Sequence, residues 1–138
     1  MAIVAVSKSV VLAAGVEDVW KVVSDFGGYA SWQPHIESAQ MQPDGTRKVT
    51  FTRGDSVFDR IVRQDDEART LTYELAPGQQ TPMKSLAATF VVRADGAGSE
   101  VEYTIEVDVP DEMEGMAQAG IGADIDGALS GLDSKYRG

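Results

Sequence analysis

The sequence predicts an α+β fold: seven strands forming one antiparallel sheet, one or two short helices after the first strand, and a long C-terminal helix. Three observations lead there. In "EVEYTIEVDV" (100–109), Val101, Tyr103, Ile105 and Val107 fall on one face, and Glu100, Glu102, Thr104, Glu106 and Asp108 on the other. That is a strand with one dry and one wet side. "VEDVWKVVSDF" places Val16, Val19, Trp20 and Val23 at i, i+3, i+4 and i+7, one face of a helix. Met113, Ala117, Ile121, Ile125, Ala128 and Leu132 recur at helical spacing down to Tyr136.

The elements follow in order. Residues 2–13 alternate as a first strand; Lys8 interrupts the apolar run and no basic stretch precedes it, so a strand is expected there rather than a signal peptide. After the helix comes a loop, "DFGGYASWQPHIESAQ", dense in rings and helix breakers. Six β-rich runs cover 36–42, 46–53, 56–64, 69–76, 84–93 and 99–109. Turn residues separate them: "PDG" at 43–45, "RGD" at 53–55, "QDDE" at 64–67, "PGQQTP" at 77–82 and "DGAG" at 95–98. Pro110 ends the last strand, and "DEMEG" opens the long helix with acids in its first turn. That helix carries five glycines (115, 120, 122, 127 and 131), each costing about 0.5–1 kcal/mol against Ala. Packing must hold it, and its small residues imply either a cavity above the sheet or close helix–sheet contact.

With 138 residues and 43% hydrophobic content, the chain is expected to form one domain, 1–138, with a full core. A net charge of -10 argues against nucleic acid or an anionic membrane as partner. No stretch approaches the roughly 18 apolar residues of a membrane span, so a cytoplasmic protein is expected. There is no cysteine and one histidine, which excludes thiolate chemistry and His- or Cys-rich metal sites. The acids at 65–67 lack the EF-hand spacing and read as a polar turn. No phosphate loop, serine-hydrolase elbow or dinucleotide fingerprint is present, and no cofactor or metal is expected.

The order of elements, with "VEDVWKVVSDFGGYASW", Pro34, "DGTRKVTF", Gly54, "DRIVRQDDEARTLTYEL" and "GSEVEYTIEV", resembles the START-like or helix-grip superfamily (SRPBCC), and within it the polyketide cyclase/dehydratase-like proteins. The resemblance covers nearly the whole chain. It departs from the family at Asp59 and Tyr103, where Glu and Trp are common. It implies a curved sheet gripping the C-terminal helix, with an apolar small molecule between them. Trp32 and Pro34 would then close one end of the cavity, and "APGQQTPM" (76–83) would lie over the mouth as a lid. Phe51, Phe90, Met113, Ile121 and Ile125 would contact the guest.

Strand alternation puts Arg47 on the face of Val49 and Phe51, the inner one. With "RGD" as the turn, residue 49 lies opposite 59, so Asp59 is a diagonal neighbour of Arg47. The two are either an internal ion pair or a polar anchor for a ligand oxygen. Tyr73 and Tyr103 fall on inward faces and are either core residues or groups that orient and protonate a ligand oxygen. His35 is a candidate general base with no nucleophile beside it.

The leading expectation is a pocket of about 300–1,000 Å³ that binds a hydrophobic, partly oxygenated molecule. On this reading the protein acts as a cyclase or dehydratase of secondary metabolism through Arg47, Asp59, Tyr73, Tyr103 and His35. The alternatives are a non-catalytic carrier or resistance protein with the same pocket, and a co-chaperone-like interaction module using the acidic face.

Overall fold

Alternating strands of this length bury one face only, so they need a partner layer, and the helices supply it. The computed structural model describes residues 2–79 and 81–136. The elements are β1 (Ala2–Leu12), α1 (Val16–Val23), a 3₁₀ helix (Phe26–Ser31), β2 (Ile36–Met41), β3 (Arg47–Phe51), β4 (Ser56–Asp65), β5 (Thr70–Leu75), β6 (Ser85–Asp95), β7 (Gly98–Val109), a 3₁₀ turn (Asp111–Met113) and α2 (Glu114–Tyr136). All seven strands form one antiparallel sheet in the order β1-β7-β6-β5-β4-β3-β2. Consecutive strands are neighbours except at β1, which the two helical segments carry across to the far edge beside β7.

β7 alternates as its sequence requires: Val101, Tyr103, Ile105, Val107 and Val109 are buried. On the outer face Arg93 of β6 pairs with Glu100 and Glu102. α1 buries Val19, Trp20 and Val23. The Trp20 indole donates to Asp66 at 3.1 Å, and Glu17 pairs with Arg69, so the acidic 65–67 turn ties α1 to the β4–β5 hairpin.

The β3–β4 turn differs from the expected one. Arg47 lies directly opposite Asp59, and Val49 opposite Val57. The loop is Thr52–Gly54 rather than 53–55, because Phe51 N–H donates to Asp55 O and Gly54 N–H to Phe51 O, with Gly54 at φ +108. A three-residue hairpin with glycine in the left-handed position shifts the register by two. Ile61 packs against the core, and the strand bulges between Ile61 and Arg63.

The helix also starts later than "DEMEG" suggests, after the 3₁₀ turn, and it serves two purposes. Its second half packs tightly through Ile125, Ala128, Leu129 and Leu132. A Cβ on Gly131 would lie 1.8 Å from the Trp32 carbonyl oxygen, so only glycine allows that approach. Its first half borders empty space instead: Ala117 and Ile121, with Met113 just ahead of the helix, line a cavity between the helix and the sheet. Close contact and empty space both occur, one at each end.

Candidate functional site: an internal cavity with a polar inner end

The space beneath the first half of α2 is a cavity of about 370 Å³. Its wall takes Ile36 of β2, Val49 and Phe51 of β3, Val57 and Asp59 of β4, Tyr73 and Leu75 of β5, Leu86 of β6, and Tyr103, Ile105, Val107 and Val109 of β7. Seven flat strands would spread over roughly 30 Å. Six of them can share one small cavity with a helix only if the sheet curves around it. Met113, Ala117 and Ile121 of α2 close the other side. The exposed lining residues Arg53, Asp55, Pro82, Met116 and Gly120 mark the mouth. The buried polar ones, Gln33, Arg47, Asp59, Tyr73 and Tyr103, mark the inner end.

Arg47 is 1% exposed and fully engaged on one side. Its Nε and Nη2 donate to the two Asp59 oxygens at 2.9 and 2.7 Å, and Nη1 donates to the Phe26 carbonyl at 2.7 Å. The guanidinium carbon lies 3.5 Å from the Phe26 ring centroid, 4.7 Å from Tyr29 and 5.1 Å from Tyr73. Two-point contact of this kind is the geometry of a charged pair, and the rings add cation–π attraction. Burial opposes charge on both partners. It raises the Asp59 carboxyl against the pull of Arg47. On Arg47 burial is outweighed by the Asp59 bonds, which hold the guanidinium above its ordinary value.

The Tyr73 and Tyr103 hydroxyls share a 2.5 Å hydrogen bond. Burial pushes Tyr73 up to about 12 and Tyr103 well above its ordinary value, so both stay protonated and able to donate. Phe90 sits opposite Tyr103 and stacks on it at 3.8 Å.

His35 reaches the cavity from the loop before β2, its ring parallel to Phe51 at 6.2 Å. Burial lowers its pKa, Asp124 pulls it back up and Arg53 lowers it further; the net shift is downward. The ring is therefore a neutral base near neutrality.

The expected site residues thus separate. Arg47, Asp59, Tyr73, Tyr103, His35, Phe51, Met113 and Ile121 all line the cavity. Trp32, Pro34, Phe90 and Ile125 are not part of its wall. Trp32 is buried edge-on to Tyr29 and Phe90, and Pro34 lies on the outer side of the loop beside Gly131. They back the inner end instead of closing it, because Gly131 draws α2 onto the Trp32 carbonyl. In "APGQQTPM", Gln79 accepts from Phe58 N–H and donates to the Phe58 and Ala76 carbonyls, pinning the start of the loop to β4. Thr81, Pro82 and Met83 line the cavity, and Gln80 lies outside the described residues.

Sequence reasoning missed Gln33, Asp124 and the ring box of Phe26 and Tyr29. Gln33 is 1% exposed, yet its loop position beside a proline reads as solvent-facing. Only the path of the 3₁₀ helix turns it inward. Asp124 could have been found from helical spacing, one turn after Gly120.

The family described as polyketide cyclase / dehydrase and lipid transport matches residues 4–137. The chain belongs to that family. Solved structures share its START-like fold. The protein XoxI from Bacillus cereus aligns at TM-score 0.84 with 20% identity over 99% of this chain and 96% of that one. The ZhuI aromatase/cyclase from Streptomyces sp. R1128 aligns at 0.83 with 17% identity over 99% and 94%. A START superfamily protein from Mycobacterium smegmatis aligns at 0.80 with 17% identity over 96% and 97%. At these identities the likeness is one of fold. No curated protein matches the sequence. Among the described residues, no helix is long and apolar enough to cross a membrane.

Proposed function

We propose that this family member binds a hydrophobic, partly oxygenated small molecule, of polyketide-like character, in the cavity between α2 and the sheet. One observation carries the reading: an apolar-walled space of about 370 Å³ opens at one end and meets a buried polar cluster at the other. Such a site gains affinity from the walls and orientation from the few polar groups. The test is a titration with aminoanthracene, a neutral apolar fluorophore. Saturable one-to-one binding is expected, lost when Ala117→Phe fills the cavity. A folded wild-type protein that binds no such probe would remove the reading.

A cyclase or dehydratase activity of the same cavity is supported by a second observation. A neutral base, His35, and a pair of protonated phenols, Tyr73 and Tyr103, share one apolar wall. Proton removal beside a ketone and proton delivery to the resulting oxygen need those two kinds of group in a dry space. The expected result is that His35→Ala abolishes water loss from a linear poly-ketone while aminoanthracene affinity stays near wild type.

A further inference from the structure

Among the described residues, Gln33 and His35 each border the cavity and carry a buried side-chain nitrogen with no hydrogen-bond partner, and Gln33 is the more deeply buried. The Gln33 side chain is 1% exposed and borders the cavity, and its Nε2 has no hydrogen-bond partner. Its backbone is fully used: the N–H donates to Tyr29 O at 2.9 Å, and the carbonyl accepts from Ile36 N–H at 3.1 Å. The loop is therefore held by the main chain, and the carboxamide is free for another purpose. A buried amide left unpaired is costly, and proteins keep such groups where a ligand or water completes them.

We infer that Gln33 orients the guest, and that the guest is a neutral apolar molecule presenting a carbonyl oxygen to the inner end of the cavity. The inference rests on the ligand-binding reading above and names the chemistry that the site selects. The other polar groups that line the same cavity offer few free acceptors. Arg47 donates to Asp59 and Phe26 and also faces the Tyr73 hydroxyl, and it carries no acceptor. The tyrosine pair has one hydroxyl hydrogen beyond the bond that it shares. Both Asp59 oxygens already accept from Arg47. A guest oxygen that only accepts fits this balance; a hydrocarbon end leaves the amide unpaired. An anionic end would need a counter-charge, and Arg47 is already neutralised by Asp59.

The test uses three matched competitors against aminoanthracene: acetylnaphthalene, ethylnaphthalene and naphthoate. The ketone should bind roughly three- to tenfold tighter than its hydrocarbon match, the scale of one neutral hydrogen bond, and naphthoate weakest. Gln33→Leu should erase the preference for the ketone over ethylnaphthalene. If that variant misfolds, NMR of the wild-type Gln33 side-chain amide decides: its signals should shift with the ketone and not with the hydrocarbon. Equal binding of ketone and hydrocarbon by the wild type, or a preference that survives Gln33→Leu, overturns the inference and leaves the cavity reading intact. Failure of all three compounds and of the fluorophore removes both.

Discussion

Arg47 and Asp59 stand directly opposite each other on β3 and β4, joined by two hydrogen bonds of 2.9 and 2.7 Å, both side chains nearly sealed from solvent. The guanidinium is also bonded to the Phe26 carbonyl and boxed by rings, so it is committed inward. Truncating one partner strands a charge. Arg47→Ala or Asp59→Ala should each cost about 3–5 kcal/mol in chemical denaturation. An Arg47→Met, Asp59→Leu double variant should recover much of that loss. If the single variants instead lose less than about 1 kcal/mol, the pair is hydrated and available to a ligand.

The tyrosine pair links the site to alkaline stability. Its neutral form is the one that the fold favours, so the folded pKa of Tyr73, about 12, lies above the ordinary 10.0. A group raised in this way contributes stability that is fully present below pH 10 and lost as pH climbs toward 12. Tyrosinate absorbance should therefore show late titration of the buried phenols Tyr29, Tyr73 and Tyr103. Tyr73→Phe should remove one late phenol at a cost of about 0.5–1.5 kcal/mol, that of one hydrogen bond. Ordinary titration of all tyrosines in the folded protein would contradict this.

His35 runs the other way. Burial favours its neutral ring, so the stability it contributes is present above its ordinary 6.5 and is lost as pH falls through the lower folded value. An NMR titration should place its midpoint below 6.5. Asp124→Asn should lower that midpoint further, because the carboxylate is what pulls it up, and Arg53→Gln should raise it. No response to Asp124→Asn would separate the two groups.

The glycines of α2 should respond in opposite directions. Gly115→Ala meets open space and should stabilise the helix by about 0.5–1 kcal/mol. Gly131→Ala drives a methyl into the Trp32 carbonyl and should cost about 1–3 kcal/mol. Thermal melts that rank the two alike would contradict the two-part packing of α2.

The strands, the amphipathic α1 and the inward direction of Arg47, Tyr73 and Tyr103 were legible in the sequence because side-chain periods of two and 3.6 are local properties. Alternation alone put Val101, Tyr103, Ile105 and Val107 on the buried face of β7. The tertiary structure decided what those periods do not carry. The register of Arg47 on Asp59 depended on where Gly54 sits in a three-residue turn. The retreat of Trp32 and Pro34 behind the cavity wall depended on a backbone contact at Gly131, about 100 residues away in sequence. The inward turn of Gln33 depended on the 3₁₀ helix that delivers it. Local pattern fixes which face a residue takes; only the packing of distant segments fixes which inward residues meet a guest and which support those that do.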